Sequence, residues 1–320
     1  MTFDPYETIH AFKGFNQDLT CRGFQFVVGE TFEQDAPAKL CSTGFHAVTT
    51  PLDVLGYYPP ATSVYHAVEL EDVDPKRESD SKIAGRRIKI GAAVGIPGLV
   101  KAHIKFVMDN VAKDAPKGAH LTGDQSAASN TGDRSAASNT GYRSAASNTG
   151  DQSAASNTGY QSAASNTGDR SAASNTGDRS AASNTGYRSA ASNTGYQSAA
   201  SNTGDRSAAS NTGHRSAASN TGYQSAASNT GDRSAASNTG HRSAASNTGD
   251  QSAASVTGKD SIAIVTGKDS KASGALGCWI VLTERDEDWN ILTVKAVKVD
   301  GTKIKPGVFY TLRAGKAVQS

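Results

Sequence analysis

Side chains able to do chemistry gather in the first hundred residues. Cys21, Cys41 and His46, with His10, are metal-ligand types. They lack the paired CxxC or HxxxH spacing that marks a zinc site, so two buried thiols and a turn histidine account for them and no metal is expected. His46, Tyr57 and Tyr58 form the candidate ligand-binding set: an imidazole and two adjacent tyrosines beside Pro59-Pro60. Packing and turn formation compete with that reading. No Ser-His-Asp set, P-loop or GxGxxG is legible, and no cofactor is expected.

Strands and one good helix must position these residues. Alternating apolar runs bounded by Asn, Asp, Gly and Pro predict strands at Thr8–Gly14, Gly23–Phe32, Gly44–Thr49, Ser63–Leu70 and Arg87–Val94. Pro51–Tyr58 suits a short helix with proline in its first turn. Ile96–Val111 is the best helix: Val100, Ile104, Val107 and Val111 share one face, with Lys101 and Lys105 elsewhere. Ala112–His120, with Pro116 and Gly118, reads as a linker. The result is an α+β domain over residues 1–117.

The phrases Phe12-Lys13-Gly14-Phe15, Cys21-Arg22-Gly23-Phe24-Gln25, Gly44-Phe45-His46-Ala47, Pro51-Leu52-Asp53-Val54 and Tyr57-Tyr58-Pro59-Pro60 resemble a domain family of bacteriophage and bacterial proteins that often precedes short Ser/Gly-rich repeats. Ser81-Lys82-Ile83 and Ile96-Pro97-Gly98-Leu99-Val100-Lys101 fit it too. The resemblance implies a phage or prophage setting and brings no catalytic residues. A more distant similarity is to ADP-ribosyltransferases, which carry a basic residue, a Ser/Thr stretch and Glu-x-Glu in that order. Lys13, Thr49-Thr50 and Glu69-Leu70-Glu71 follow it, so Lys13, Thr49, Glu69 and Glu71 are the catalytic candidates that resemblance implies. Lys stands where Arg is usual, there is no Ser-Thr-Ser, and solvated surface charge explains the glutamates equally.

From Thr122 to about Ser273 one phrase recurs, Thr-Gly-x-(Arg/Gln)-Ser-Ala-Ala-Ser-Asn, with seventeen glycines spaced nine apart from Gly123 to Gly267. One such unit buries no core, whereas stacked units do. Recurrent Gly, Asn, Thr and Ser oppose helix, and strict phasing opposes disorder, which needs composition but not register. Nine residues make a strand, predicted as (Arg/Gln)-Ser-Ala-Ala-Ser, and a turn, Asn-Thr-Gly-x, with glycine at a positive-φ position. Two units close one coil, and about eight coils at ~4.8 Å make a rod of roughly 40 Å. The predicted class is therefore mainly β: an α+β N-terminal domain, a nonapeptide-repeat parallel β-solenoid with about 18 residues per coil over residues 118–273, and a small β cap over 274–320.

The last units assign the faces. Lys271 occupies the fourth place after glycine, and a lone lysine does not belong in a narrow interior. Ser126, Ala128, Asn130 and their equivalents then point inward. Val256 and Val265 replace Asn at that inner position, and Ile262 and Ile264 mark an outer contact for the next domain. The outer candidates are Tyr142, Arg143, Tyr160, Tyr187, Arg188, Tyr196, His214, Arg215, Tyr223, His241 and Arg242, whose rows could stack on bases or sugars. Interleaved Asp cancels the field of the arginines, which makes a neutral, solvated surface the competing reading. The rhythm is similar to that of trimeric autotransporter adhesin heads of the YadA type, and the period to the RTX β-roll. The first implies trimerisation. The calcium sites of the second do not carry over, because GGxGxD turns are absent.

After Gly274, Cys278–Thr283, Ile291–Val299 and Val308–Leu312 read as strands, with a hairpin turn at Val299-Asp300-Gly301-Thr302. They would close the open solenoid end. Net charge is +2, with 32 basic and 30 acidic residues, so no general attraction to nucleic acid follows. Three cysteines make no disulfide framework. No apolar run approaches a membrane span, and the first residues, MTFDPYETIHAF, lack the basic and apolar regions of a signal peptide. The sequence favours a non-enzymatic structural or recognition protein, cytoplasmic or virion-associated, with the solenoid as rigid spacer or repetitive binding surface; self-association as a homotrimer or other homo-oligomer is open to it, and the sequence does not identify a protein or glycan partner. The alternative is a nucleotide- or NAD-related enzyme, or a small-molecule binder, with the solenoid as scaffold.

Overall fold

The computed structural model describes residues 8–76, 81–109, 117–118 and 120–320. In the N-terminal domain β1 (Ile9–Asn16), β5 (Phe45–Val48), β6 (Ser63–Val73) and β7 (Lys82–Ala93) are antiparallel neighbours in the order β7-β5-β1-β6. β6 also pairs with β7, so the four close into a ring. β4 (Thr31–Glu33) adds to β7, and β2 (Thr20–Cys21) pairs only with β3 (Phe24–Gln25). The predicted strand Gly23–Phe32 is thus two short pieces. Gly29, at φ 90°, turns the chain between them. Phe15, Leu70, Ile83, Ile88 and Ile90 fill the ring. A 3₁₀ turn (Pro51–Asp53) runs into α1 (Val54–Tyr57), and α2 spans Ile96–Asp109. Val111 and most of the predicted linker lie outside the described residues.

The repeat is a parallel β-solenoid of about nine turns with ~18 residues per coil. Units alternate between two sheets, so strands 18 residues apart are in register; Ala145 pairs with Ala163, for example. The buried set is the expected one: Ser126 and Ala128, and deeper in the stack Ser144, Ala146 and Asn148. Asn130, in the first coil, is half-buried.

The strand, however, is Ala-Ala-Ser-Asn-Thr, shifted two residues from the prediction. The corner lies at Gly-x-(Arg/Gln), because the Arg or Gln residue itself takes a left-handed φ of 49–58°. Several repeat glycines do have positive φ, between 140° and 159°. The stronger reason for glycine is steric. A Cβ on Gly186 would lie 2.1 Å from the carbonyl oxygen of Gly168 in the coil below. Asn belongs in the strand because its side chain crosses the interior. Asn157 Nδ2 donates to the carbonyl oxygens of Ser144 (2.6 Å) and Ala163 (2.9 Å), tying one sheet to two coils of the other.

Each sheet ends in an antiparallel hairpin. β27 (Trp279–Arg285) continues beside β25 (Ile262–Val265) and turns into β28 (Ile291–Lys298). β29 (Tyr310–Arg313) and β30 (Lys316–Gln319) close the other sheet on β26 (Lys271–Gly274). Val256 and Val265 join Ile280, Leu282 and Tyr310 in one core, so the alanine column grades into a conventional apolar plug. Ile262 and Ile264 sit beside Trp279 and Val281 of that cap.

Candidate ligand pocket and the seam that holds it

The N-terminal domain lies along the flank of the solenoid. α2 crosses β12 (Ala145–Thr149), β14 (Ala163–Thr167), β16 (Ala181–Thr185), β18 (Ala199–Thr203) and β20 (Ala217–Thr221) of one sheet. Fourteen residues of helix span ~20 Å, and five strands at ~4.8 Å span ~19 Å, so helix and stack match in length. Leu99 and Val100 pack with Ala181 and Ala199, while Ile104 and Phe106 pack with Ala145 and Ala163. Ala145 is therefore buried, whereas Ala154, its counterpart on the uncovered sheet, is exposed.

Polar contacts pin the same seam. Buried Asp53 accepts from Ser81 Oγ at 2.7 Å, and its other oxygen lies 3.6 Å from Arg179 Nη1. Arg215 Nη1 donates to the Gly56 carbonyl at 2.7 Å. His103, also on α2, is fully buried, and among the described residues neither ring nitrogen has a hydrogen-bond partner. Burial holds it neutral, its pKa lowered to about 3.

A cavity of about 400 Å³ opens in the N-terminal domain, walled by β1, the β2–β3 corner, the segment Cys41–Val48, α1 and Lys82. That size falls within the range of small-molecule sites. Lys13 on β1 is almost wholly buried, and its Nζ donates to the His46 carbonyl at 2.8 Å. Burial pulls its pKa below the ordinary lysine value, nearby Cys21 opposes the shift, and Arg22 adds to it.

His46 Nε2 accepts the Cys41 N–H at 3.1 Å, which fixes it as an acceptor. Burial first, then Lys13, lowers its pKa, in agreement with a neutral ring. Tyr58 Oη donates to Cys21 Sγ at 2.8 Å, and burial, reinforced by that contact, keeps the phenol protonated. Tyr58 lies across Gly14, where a Cβ would come within 2.4 Å of it; glycine on β1 is what admits the ring. Lys82 Nζ stands 5.3 Å from the Tyr57 ring centre. Phe24, Phe26 and Phe45 contact one another edge-on in the wall. The lining holds Lys13, Arg22, Lys82 and His46, and among the described residues no carboxylate lines it.

The structure thus brings His46, Tyr57, Tyr58 and Lys13 together and leaves the other catalytic candidates elsewhere. Thr49 hydrogen-bonds the Ser81 carbonyl. Glu69 faces solvent beside Lys89 at 3.4 Å, and Glu71 pairs with Arg87 at 2.8 Å. His10 is on that same outer face, near Glu69. Among the described residues no group of three or more His, Cys, Asp or Glu side chains is placed to hold a metal ion. Arg22 and Lys82 were missed as site residues, although both stand in family-like phrases. His103 was also missed; its spacing from Leu99 and Val100 places it on the buried helix face.

The repeat-surface candidates are largely engaged with each other. Tyr142 and Tyr160 stack at 5.5 Å, and Arg143 covers Tyr142 while donating to Gln161 at 2.9 Å. Arg188 lies over Tyr187, and Arg206 and Arg242 donate to the hydroxyls of Tyr187 and Tyr223 at 2.7 Å each. Tyr196 faces Arg215, which holds the N-terminal domain. His214 and His241 accept the backbone N–H groups of Asp232 and Lys259. Asp169 does the same for Tyr187 at 2.8 Å. Asp and His thus serve as the same kind of acceptor in this column, which they share with Tyr and Lys.

Residues 9–102 match a family described as a domain of unknown function, DUF7666. That span holds the pocket and the first half of α2, and stops short of the solenoid. No curated protein matches the chain. No solved structure matches it either.

Proposed function

We propose that this is a non-enzymatic recognition protein of phage type, in which the N-terminal domain binds a small molecule and the solenoid is its rigid mount. The observation that carries the reading is the pairing of a pocket lined by cations and aromatic rings with a domain fastened by Asp53–Arg179, Arg215–Gly56 and the α2–alanine contacts. A side chain such as Arg215, spent on an internal carbonyl, serves mounting. The virion setting rests on the sequence resemblance, and self-association on the adhesin-like rhythm.

The ADP-ribosyltransferase-like alternative needs Lys13, Thr49, Glu69 and Glu71 in one cleft, and the glutamates point to solvent instead. The test is thermal melting of the full chain against a library of small charged and aromatic metabolites, run beside an NAD-hydrolysis assay. Ligand-dependent stabilisation without NAD turnover is the expected result. NAD turnover, or no stabilisation by any compound, overturns the reading. Light scattering on the same sample tests self-association: a monomer would refute the trimer analogy.

A further inference from the structure

Resting on that reading, we propose that the pocket takes a planar aromatic anion: a flat ring bearing a phosphate or carboxylate group. Lys13 is the first argument. It is a nearly fully buried ammonium held against the Phe15 and Phe26 rings, with Nζ 5.5 and 5.9 Å from their centres, and among the described residues no carboxylate pairs with it. A buried cation is stable when paired or hydrogen-bonded, and its partners here are the neutral carbonyl of His46 and the side chain of Cys21, neither of them a carboxylate. Arg22 and Lys82 add charge of the same sign to the wall.

The second argument is the aromatic surface. Phe24 is a large apolar side chain left about half exposed, and Tyr57 lines the cavity with Lys82 over its ring. Rings of this kind accept a flat ligand face at little entropic cost.

Lys13 also supplies a signature. Burial disfavours its charged form, so an incoming anion stabilises the ammonium and raises its pKa. Anion binding should therefore take up a proton at alkaline pH.

The experiment is calorimetric titration of the full chain with a nucleoside 5′-monophosphate, the matching nucleoside, an aromatic carboxylate such as benzoate, and inorganic phosphate. At least one ring-bearing anion should bind tenfold or more tighter than both the nucleoside and inorganic phosphate. Titration in two buffers of different ionisation enthalpy should show proton uptake that rises between pH 8 and 10. Lys13→Met should remove the uptake and most of the affinity. Because that variant disturbs a buried site, the rim double variant R22Q/K82M provides a second reading and should weaken the anion at least fivefold in a chain that still melts cooperatively. If a neutral ligand found by the melting screen competes with none of the anions, or the nucleoside binds as tightly as its phosphate, the anion inference is overturned while small-molecule recognition stands. If no compound of any class binds, both fall.

Discussion

Two glycine-to-alanine changes test the account of the solenoid against each other. On Gly186 a Cβ would lie 2.1 Å from the Gly168 carbonyl oxygen; on Gly56 it would lie 2.2 Å from Gln197 Nε2. The clashes are equal and the neighbours are not. Gln197 Nε2 ends a buried side chain with three rotatable bonds, held through its Oε1 by Arg179 Nε at 3.0 Å, and can move aside at the cost of that one bond. Gly168 O is fixed: it accepts from Ser189 Oγ at 3.0 Å, while Gly168 N donates to Thr185 O at 2.9 Å and Arg170 N to Tyr187 O at 2.8 Å. Separating the two coils by the ~1 Å that normal contact requires breaks those three bonds, at about 0.5–1.5 kcal/mol each, so Gly186→Ala should cost about 2–4 kcal/mol, in line with overpacking elsewhere. Gly56→Ala should cost about 0.5–1.5 kcal/mol, the value of the single hydrogen bond that the Gln197 amide gives up. Stacked repeats need not unfold in one step, so the assay is residue-resolved hydrogen exchange. Protection should fall in the coils around residues 168–204 and persist near the cap. Equal protection in the two variants, or uniform loss along the rod in Gly186→Ala, would refute the fixed-carbonyl argument.

Other outcomes follow from the same contacts. Asn184 Nδ2 donates to Ser171 O (2.7 Å) and Ala190 O (2.8 Å); Asn184→Ala loses both bonds and leaves a void, a cost of about 2–4 kcal/mol in chemical denaturation. Asp169→Ala uncaps the Tyr187 N–H and should cost about 0.5–2 kcal/mol, with Asp169→His losing less, because His214 and His241 already serve as acceptors in that column. His103 binds its proton in the unfolded chain near pH 6.5 and in the folded chain only near pH 3, so stability is full above about 6.5 and falls as pH drops through that window, by at most about 1.4 kcal/mol per pH unit. His103→Leu should flatten the slope between pH 6 and 4 in a denaturation series; an unchanged slope would refute the assignment. A variant ending at Ser273 strips the hairpins from both sheets and should associate in sedimentation experiments, since free strand edges recruit more strands.

The period made the solenoid legible, and Lys271 assigned its inside, because both signals are local to the repeat. The strand boundaries slipped by two residues for a reason composition does not carry: Arg and Gln are poor residues for a left-handed corner in isolation, yet every unit but the last two, which use Asp260 and Asp269, places them there. Ladder closeness reserves the less demanding place for glycine. The pocket was half legible. His46, Tyr57, Tyr58 and Lys13 stood out by type, but Arg22 and Lys82 join them only through the closure of β7 against β5 and the turn after β2. The Glu69-x-Glu71 pattern was legible and misleading, since a strand with one face in solvent produces it without any site. Nothing in the sequence revealed that one sheet of the solenoid would be covered, because the alanines on both sheets are identical and the difference comes from α2.

That identity raises the question of how α2 finds its register on a nearly uniform rod. Along the covered edge the residue two after each glycine reads Arg143, Gln161, Arg179, Gln197 and Arg215. Asp53 meets Arg179 and the Gly56 carbonyl meets Arg215, with Gln197 between. Sliding the domain by one coil in either direction sets buried Asp53 against a glutamine, and a buried carboxylate without a cation is costly. Sliding it two coils toward the N-terminus restores the pattern, with Arg143, Gln161 and Arg179 in the three places. The alternating code therefore excludes odd slips and permits that even one. The even slip is opposed at the end of the rod, because it would carry the C-terminal part of α2 from β12 onto the first coil, where Lys117–Gly118 supplies two strand residues in place of five. Exchanging the partners as R179Q/Q197R removes the cation that meets Asp53 in the present register, and the seam should lose protection at α2 while the solenoid beneath keeps its own. If α2 protection is unchanged, the arginine–glutamine alternation has no part in seating the domain, and the alanine contacts alone must hold it.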